Sequence, residues 1–355
     1  VRKLIVMALA LFSHLAWSQA NNDKVEADAG TEKESPWLLA PTVSSNPKLG
    51  NTLGFLAGYL HKFDEQSPSS MVAIAASTSD TDSTVAGMFG RVFFDQDRQR
   101  ILAGHARGKI LNEYEDFLGT GLNINTTDDL TLTLFRYLHR VQGNWFLGGQ
   151  LIRTEYTIEG DDPFSKLILQ QLGLTGFEGN ALGLSAERDT RDNQNSPYQG
   201  SHTEIHTNHY RDAWGSDVEF DVVTAKYAHF ARITGRQVLA ARFNTRITAD
   251  APISGYSSLD LRGYTRGEYL APHVATFEVE DRIKLGNRWG ATLFAGASCL
   301  FGEKARCDNR EDWYPAVGAG ITYQLKVEER MNVRAEIALG KHDNYGFYLQ
   351  FGNAF

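Results

Sequence analysis

Arg262-Gly263-Tyr264 stands in a long loop, 249–271, just before a segment with one charged face. A guanidinium offers five planar donors, and Gly263 lets the backbone turn tightly or take a positive φ at the tip. Folded into an interior, Arg262 requires carboxylate or aromatic partners. Glu278 and Glu280 are the nearest acids on that charged face, with Arg282 beside them. Such a set would pin a loop inside a barrel without making bonds, but by itself the motif reads as an ordinary surface-loop turn. His202, His206 and His209 raise the question of a metal. On a strand, His202 and His206 share a face about 13 Å apart, too far for one ion, and His209 points the other way. They read as solvated or lumen-facing histidines, and no metal is expected. Glu187, Asp189 and Asp192 lie at a turn without a nucleophile, and the chain has no Gly-x-Ser-x-Gly, His-Glu-x-x-His or Cys-His arrangement. No catalytic residue and no cofactor is expected.

These residues sit among segments of period two. In 317–327, Val317, Ala319, Ile321, Tyr323, Leu325 and Val327 alternate with Gly318, Gly320, Thr322, Gln324 and Lys326. Residues 331–340 repeat the pattern, with Asn332, Arg334 and Glu336 on the polar face, after a turn of only Glu328-Glu329-Arg330. The two make a hairpin. In 274–285, Thr276, Glu278, Glu280, Arg282 and Lys284 share a face, which is expected to meet water because burying that charge is costly. The last segment, 345–355, puts Tyr345, Phe347, Leu349, Phe351 and Phe355 on one face. On a soluble protein such a strand is an aggregation hazard; in a barrel it closes against the first strand and faces lipid. Fifteen segments have strand character, and a short first strand near 39–46 completes the even number expected of a bacterial barrel. Longer loops fall at 158–177 and 249–271.

Composition alone leaves a secreted soluble β-protein and an outer-membrane barrel open. The chain has 355 residues, 42% hydrophobic and 22% charged, with 9 Pro. A mean hydropathy of −0.33 excludes a helical polytopic membrane protein but not a β-barrel. Residues 1–20 read as a signal peptide: Arg2 and Lys3, an apolar run from Leu4 to Trp17, then Ser18-Gln19-Ala20. Residues 21–38 read as an acidic, polar, disordered leader, with the barrel in 39–355. The formal net charge of −8, more negative once Arg2 and Lys3 are removed, argues against a nucleic-acid partner. In the oxidising compartment that follows, Cys299 and Cys307 are expected to close a loop by a disulfide.

Several motifs together resemble the BamA/TamA-like outer-membrane protein assembly and secretion superfamily. Arg262-Gly263-Tyr264 resembles the tip of that family's inward-folding loop. Asp189-Thr190-Arg191-Asp192-Asn193, followed by Pro197 and Gly200, resembles its periplasmic turn. Phe117-Leu118-Gly119-Thr120-Gly121 is similar to its aromatic-Gly-x-Gly segment, and Glu280-Asp281-Arg282 to its Glu-x-Arg. Phe347, Leu349, Phe351 and Phe355 resemble its C-terminal signal, with Asn353 as a departure. Gly296 stands where the family carries an Asp facing the loop arginine. The resemblance implies an all-β fold, a transmembrane antiparallel barrel of sixteen strands with a lumen-directed loop, without the family's POTRA domains. It also implies non-enzymatic help in inserting or transporting proteins at the outer membrane of a Gram-negative bacterium. The implied partners are outer-membrane lipid, unfolded outer-membrane or secreted clients, and a separate periplasmic partner or a second copy. The alternative is a passive pore or structural surface antigen.

Overall fold

The computed structural model describes residues 35–46, 50–114, 117–303 and 305–355. The expected signal peptide and the leader up to residue 34 lie outside them. Among the described residues the chain runs as an antiparallel meander of sixteen strands. The first eight are β1 (Trp37–Asn46), β2 (Gly50–His61), β3 (Ser70–Ser79), β4 (Thr84–Phe94), β5 (Gln99–Tyr114), β6 (Ile124–Gln142), β7 (Trp145–Gly160) and β8 (Gly176–Asp189). Then come β9 (Gly200–Tyr210), β10 (Phe220–Thr234), β11 (Gln237–Ala249), β12 (His273–Lys284), β13 (Trp289–Phe301), β14 (Trp313–Lys326), β15 (Met331–Gly340) and β16 (Tyr345–Phe351). Each strand pairs with the next, and β16 pairs with β1 to close a barrel. Trp37 and Leu38, counted above with the leader, belong to β1, because their register with Tyr59 and Gly58 extends the ladder to the strand's start.

Alternation fixes which side chain faces which way. On β12, Phe277 is 52% exposed while Glu278 and Glu280 are buried. Outward Leu39 and Leu184 are 74% and 73% exposed, a degree of apolar exposure suited to lipid and not to water. At the turn end, where most connections are short, Trp37 packs on Tyr59 and Trp289 on Tyr323, with ring centroids 5.0 and 4.9 Å apart. At the loop end Trp313 and Tyr345 are exposed. These are the aromatic girdles of a membrane barrel.

The connection 161–175 contains a helix, α1 (Pro163–Leu172), where only a loop was expected. Its cues are local. Asp162 accepts from the N–H groups of Phe164 and Ser165, Pro163 starts the first turn, and Gly173 ends the helix at φ +67°. Leu169 buries it against Tyr114, Phe117 and Ile124.

Candidate functional site: the pinned loop, the turn-end clamp and the seam

The connection between β11 and β12 leaves the loop end and turns into the lumen. A short ladder of Ser257 with Ala271 and Ser258 with Leu270 narrows its neck. Arg246 on β11 bonds Ser257 Oγ and the Gly255 carbonyl, each at 3.0 Å. From that neck the tip lies back against the wall made by β12, β13 and β15. Arg262 is paired with Glu278, with Glu280 at 2.7 Å and with Glu336 at 3.0 Å, and its guanidinium lies over the Phe294 ring, 3.4 Å from the centroid. Glu278, Glu280 and Glu336 are fully buried. Glu278 and Glu280 on the charged face of β12 therefore meet arginines, where water had been expected, and of that face Lys284 at the turn end is exposed.

Arg282, considered as a loop partner, is not one. It is a second cation on one of the loop's acids, bonding Glu280 at 2.6 Å, so it shares a carboxylate with Arg262. Arg242 bonds Glu278 at 3.0 Å and Arg334 approaches Glu336 at 3.6 Å. Gly296 leaves space: a Cβ there would lie 2.9 Å from Leu261 and 3.1 Å from Glu278. The third carboxylate comes from Glu336 on β15 instead.

Gly263 has φ +95° and a Cβ there would lie 3.3–3.4 Å from Leu339 and Ala338, so both its conformation and its close approach to β15 favour glycine. Its N–H donates to the Tyr348 hydroxyl on β16 at 3.1 Å. Tyr264 donates its hydroxyl to the Pro315 carbonyl and accepts from Lys341 N–H, both at 2.6 Å. Its ring lies against Gly340 and edge-on to Tyr314. Behind it, the N–H of Leu118 donates to Glu268, so the Phe117–Gly121 segment touches the same loop.

A second arginine cluster lies at the turn end. Arg100 on β5 binds Asp97 at 2.8–2.9 Å, Asp189 at 3.2 Å and Glu187, and stacks on Phe146 at 3.8 Å. Arg140 also bonds Asp97, and Arg191 bonds Asp189. The turn 190–199 that follows is more than a local turn. Gly200, at φ +103°, sits where a Cβ would strike the Thr190 carbonyl. Asn193 caps Asn195 and Ser196 N–H groups, with Pro197 buried beside them. The segment then spans to the far wall: Asp192 pairs with Arg330 at 2.9 Å, Asn195 donates to the Glu329 carbonyl at 2.9 Å, and Tyr198 lies under the Arg330 guanidinium. Burial pushes the Asp192 carboxyl up, but Arg330 and the N–H groups of Tyr198 and Gln199 outweigh it and hold the group below its ordinary range.

Among the described residues the β1–β16 closure is the shortest ladder of the barrel. It consists of Val43 with Leu349, Ser44 with Tyr348 and Ser45 with Phe347, against ten pairs for β1–β2 and seven for β15–β16. Below these pairs Phe351 packs against a cluster containing Leu38, Leu60 and Met331. The expectation that Phe355 continues the outward face of the last strand is corrected. β16 ends at Phe351, Gly352 takes φ +87° and bonds back to Asn332, and the chain enters the lumen. There Arg282 donates to the Phe355 carbonyl at 2.8 Å, and the ring lies 5.2 Å from Arg242 and 6.3 Å from Phe230. Asn353 donates to Asn195, joining tail to turn.

His202 lies 3.0 Å from Glu187 and 3.6 Å from Glu204; His206 bonds Glu204, and His209 bonds Asp221 on the outside. Glu187, His202 and Glu204 have ligand atoms within 4.8 Å of one another, but Arg100 already holds Glu187. Cys299 and Cys307 are bonded, closing a loop at the loop end.

No protein-family model and no curated protein sequence matches the chain. Solved structures do. BamA from Haemophilus ducreyi lacking POTRA domains 1–3 superposes at a TM-score of 0.57 and 12% identity, over 90% of this chain and 70% of that one. CdiB from Escherichia coli gives 0.60 and 12%, over 90% and 63%, and CdiB from Acinetobacter baumannii 0.59 and 10%, over 88% and 59%. This chain spans roughly three fifths of either CdiB. The likeness is one of fold: a sixteen-stranded transmembrane barrel with the architecture of these proteins.

Proposed function

We propose that the barrel assists insertion or passage of other proteins at the bacterial outer membrane, without enzymatic chemistry, and that a client strand engages at the β1–β16 seam. The three-pair closure carries this reading. An underpaired strand edge presents a row of donors and acceptors to an extended segment, whereas every other neighbouring pair of strands has at least seven registered pairs. The shared architecture with BamA and CdiB supports it. Lipid surrounds the apolar band, unfolded outer-membrane or secreted proteins are the clients, and a separate periplasmic partner or second copy delivers them. The Arg262 loop holds the wall beside the seam in shape. Loop, turn and tail all occupy the lumen, which speaks against a passive pore.

The test is a covalent seam. Ser45→Cys with Phe347→Cys, at facing positions, locks the closure when oxidised. Client insertion, measured with purified barrel in proteoliposomes, is expected to stop on oxidation and return on reduction. Full activity of the locked barrel would sink the proposal, as would a steady, large, ohmic conductance from both forms.

A further inference from the structure

Between the pinned loop above and the turn and tail below, the lumen encloses a cavity of about 440 Å³. Arg91 and Arg136 line it. Both pair in register with Leu102, so they stand at one height on β4 and β6 with Leu102 of β5 between them. Directly opposed residues point to the same face, and two strand spacings separate the arginines by roughly 10 Å. The other arginines named in this lumen each hold a carboxylate or close a loop; these two hold only carboxamides. Arg91 Nη2 donates to Asn195 Oδ1 at 2.9 Å, and Arg136 Nε donates to Gln150 Oε1 at 2.9 Å. Arg91 Nε is buried without a partner. Among the described residues neither lies within ion-pair distance of an acid. The acids lining the same cavity are engaged elsewhere: Glu187 by Arg100 and His202, Glu204 by His206, Asp260 by Arg266.

We propose that Arg91 and Arg136 form an anion site in this chamber that takes a phosphate group, free or carried on a small molecule. Two guanidinium forks with unused donors match a tetrahedral anion with several acceptor oxygens better than a single carboxylate. Leu102, Leu138 and Phe93 provide an apolar wall for whatever bears the phosphate. The site lies apart from the seam, so its test is independent of the insertion activity proposed above.

The measurement is calorimetric titration of the folded barrel in a maltoside detergent with inorganic phosphate and, separately, glycerol phosphate, against chloride at matched ionic strength. Saturable one-site binding is expected, weakened about tenfold or more by Arg91→Gln and by Arg136→Gln. Arg98→Gln, at an exposed turn pair with Asp95, leaves it unchanged. Tighter binding of glycerol phosphate assigns a carried phosphate, and of inorganic phosphate a free one. If Arg91→Gln does not fold, judged by heat-modifiable mobility, Arg136→Gln carries the test. Heats no larger than chloride, or undiminished binding in the glutamine variants, would each overturn the site.

Discussion

The barrel uses one device twice, an arginine stacked on a phenylalanine and surrounded by three carboxylates. Arg262 over Phe294 takes Glu278, Glu280 and Glu336; Arg100 over Phe146 takes Asp97, Glu187 and Asp189. They differ in what remains when the arginine leaves. Without Arg262, the wall still matches its three glutamates with Arg242, Arg282 and Arg334. Without Arg100, Arg140 and Arg191 face three acids, and Glu187 keeps only histidine. Arg262 is thus a releasable pin inserted by a loop into a wall that is already balanced, while Arg100 is a fixed part of its own wall. Identical chemistry gives a movable contact in one case and a brace in the other.

That distinction ranks the consequences of substitution. Arg100→Ala is expected to cost the most, about 3–5 kcal/mol in urea unfolding from vesicles, because it strands buried carboxylates. Arg262→Ala should cost less, about 1–3 kcal/mol, while freeing the loop, seen as proteolytic cleavage within 250–272 that the Arg100 variant does not show. The reverse order of stabilities would refute the idea that the wall around the loop is balanced without it. The smallest effect belongs to the turn. Asp192 has a lowered folded value, so its pairing with Arg330 stabilises the barrel above the ordinary carboxylate value of 3.8 and is lost as pH falls through the folded value. Asp192→Asn should flatten that acid limb and cost under about 1 kcal/mol at neutral pH. An unchanged acid transition would remove Asp192 from the clamp.

The walls could be read from the chain because period-two alternation is a local signal, and a barrel obeys it strand after strand. The acids near the loop tip could be read too, since Glu278 and Glu280 follow Arg262 within twenty residues, while the tip's inward direction was implied only by the resemblance of Arg262-Gly263-Tyr264 to a family's loop. Glu336 was visible as a polar-face residue of 331–340 but not as a partner of Arg262, 74 residues away, because that contact depends on curvature closing the sheet. Arg100 has its partners 3, 87 and 89 residues distant, and no local pattern announces it. Phe355 misled for a different reason. Alternation was carried past Gly352, whose positive φ ends the strand and turns the tail inward.

Tyr348 belongs to two structures at once. Its backbone is one of the three registered pairs of the seam, opposite Ser44, and its hydroxyl receives the Gly263 N–H of the loop tip. A displacement of β16 that opens the seam stretches that hydrogen bond, and a withdrawal of the loop removes it from β16. The seam opening proposed above and loop release would therefore be linked through a shared free energy, and the linkage is reciprocal: whatever factor one lends the other, the other returns. A ligand or partner that grips either one acts on the other without touching it.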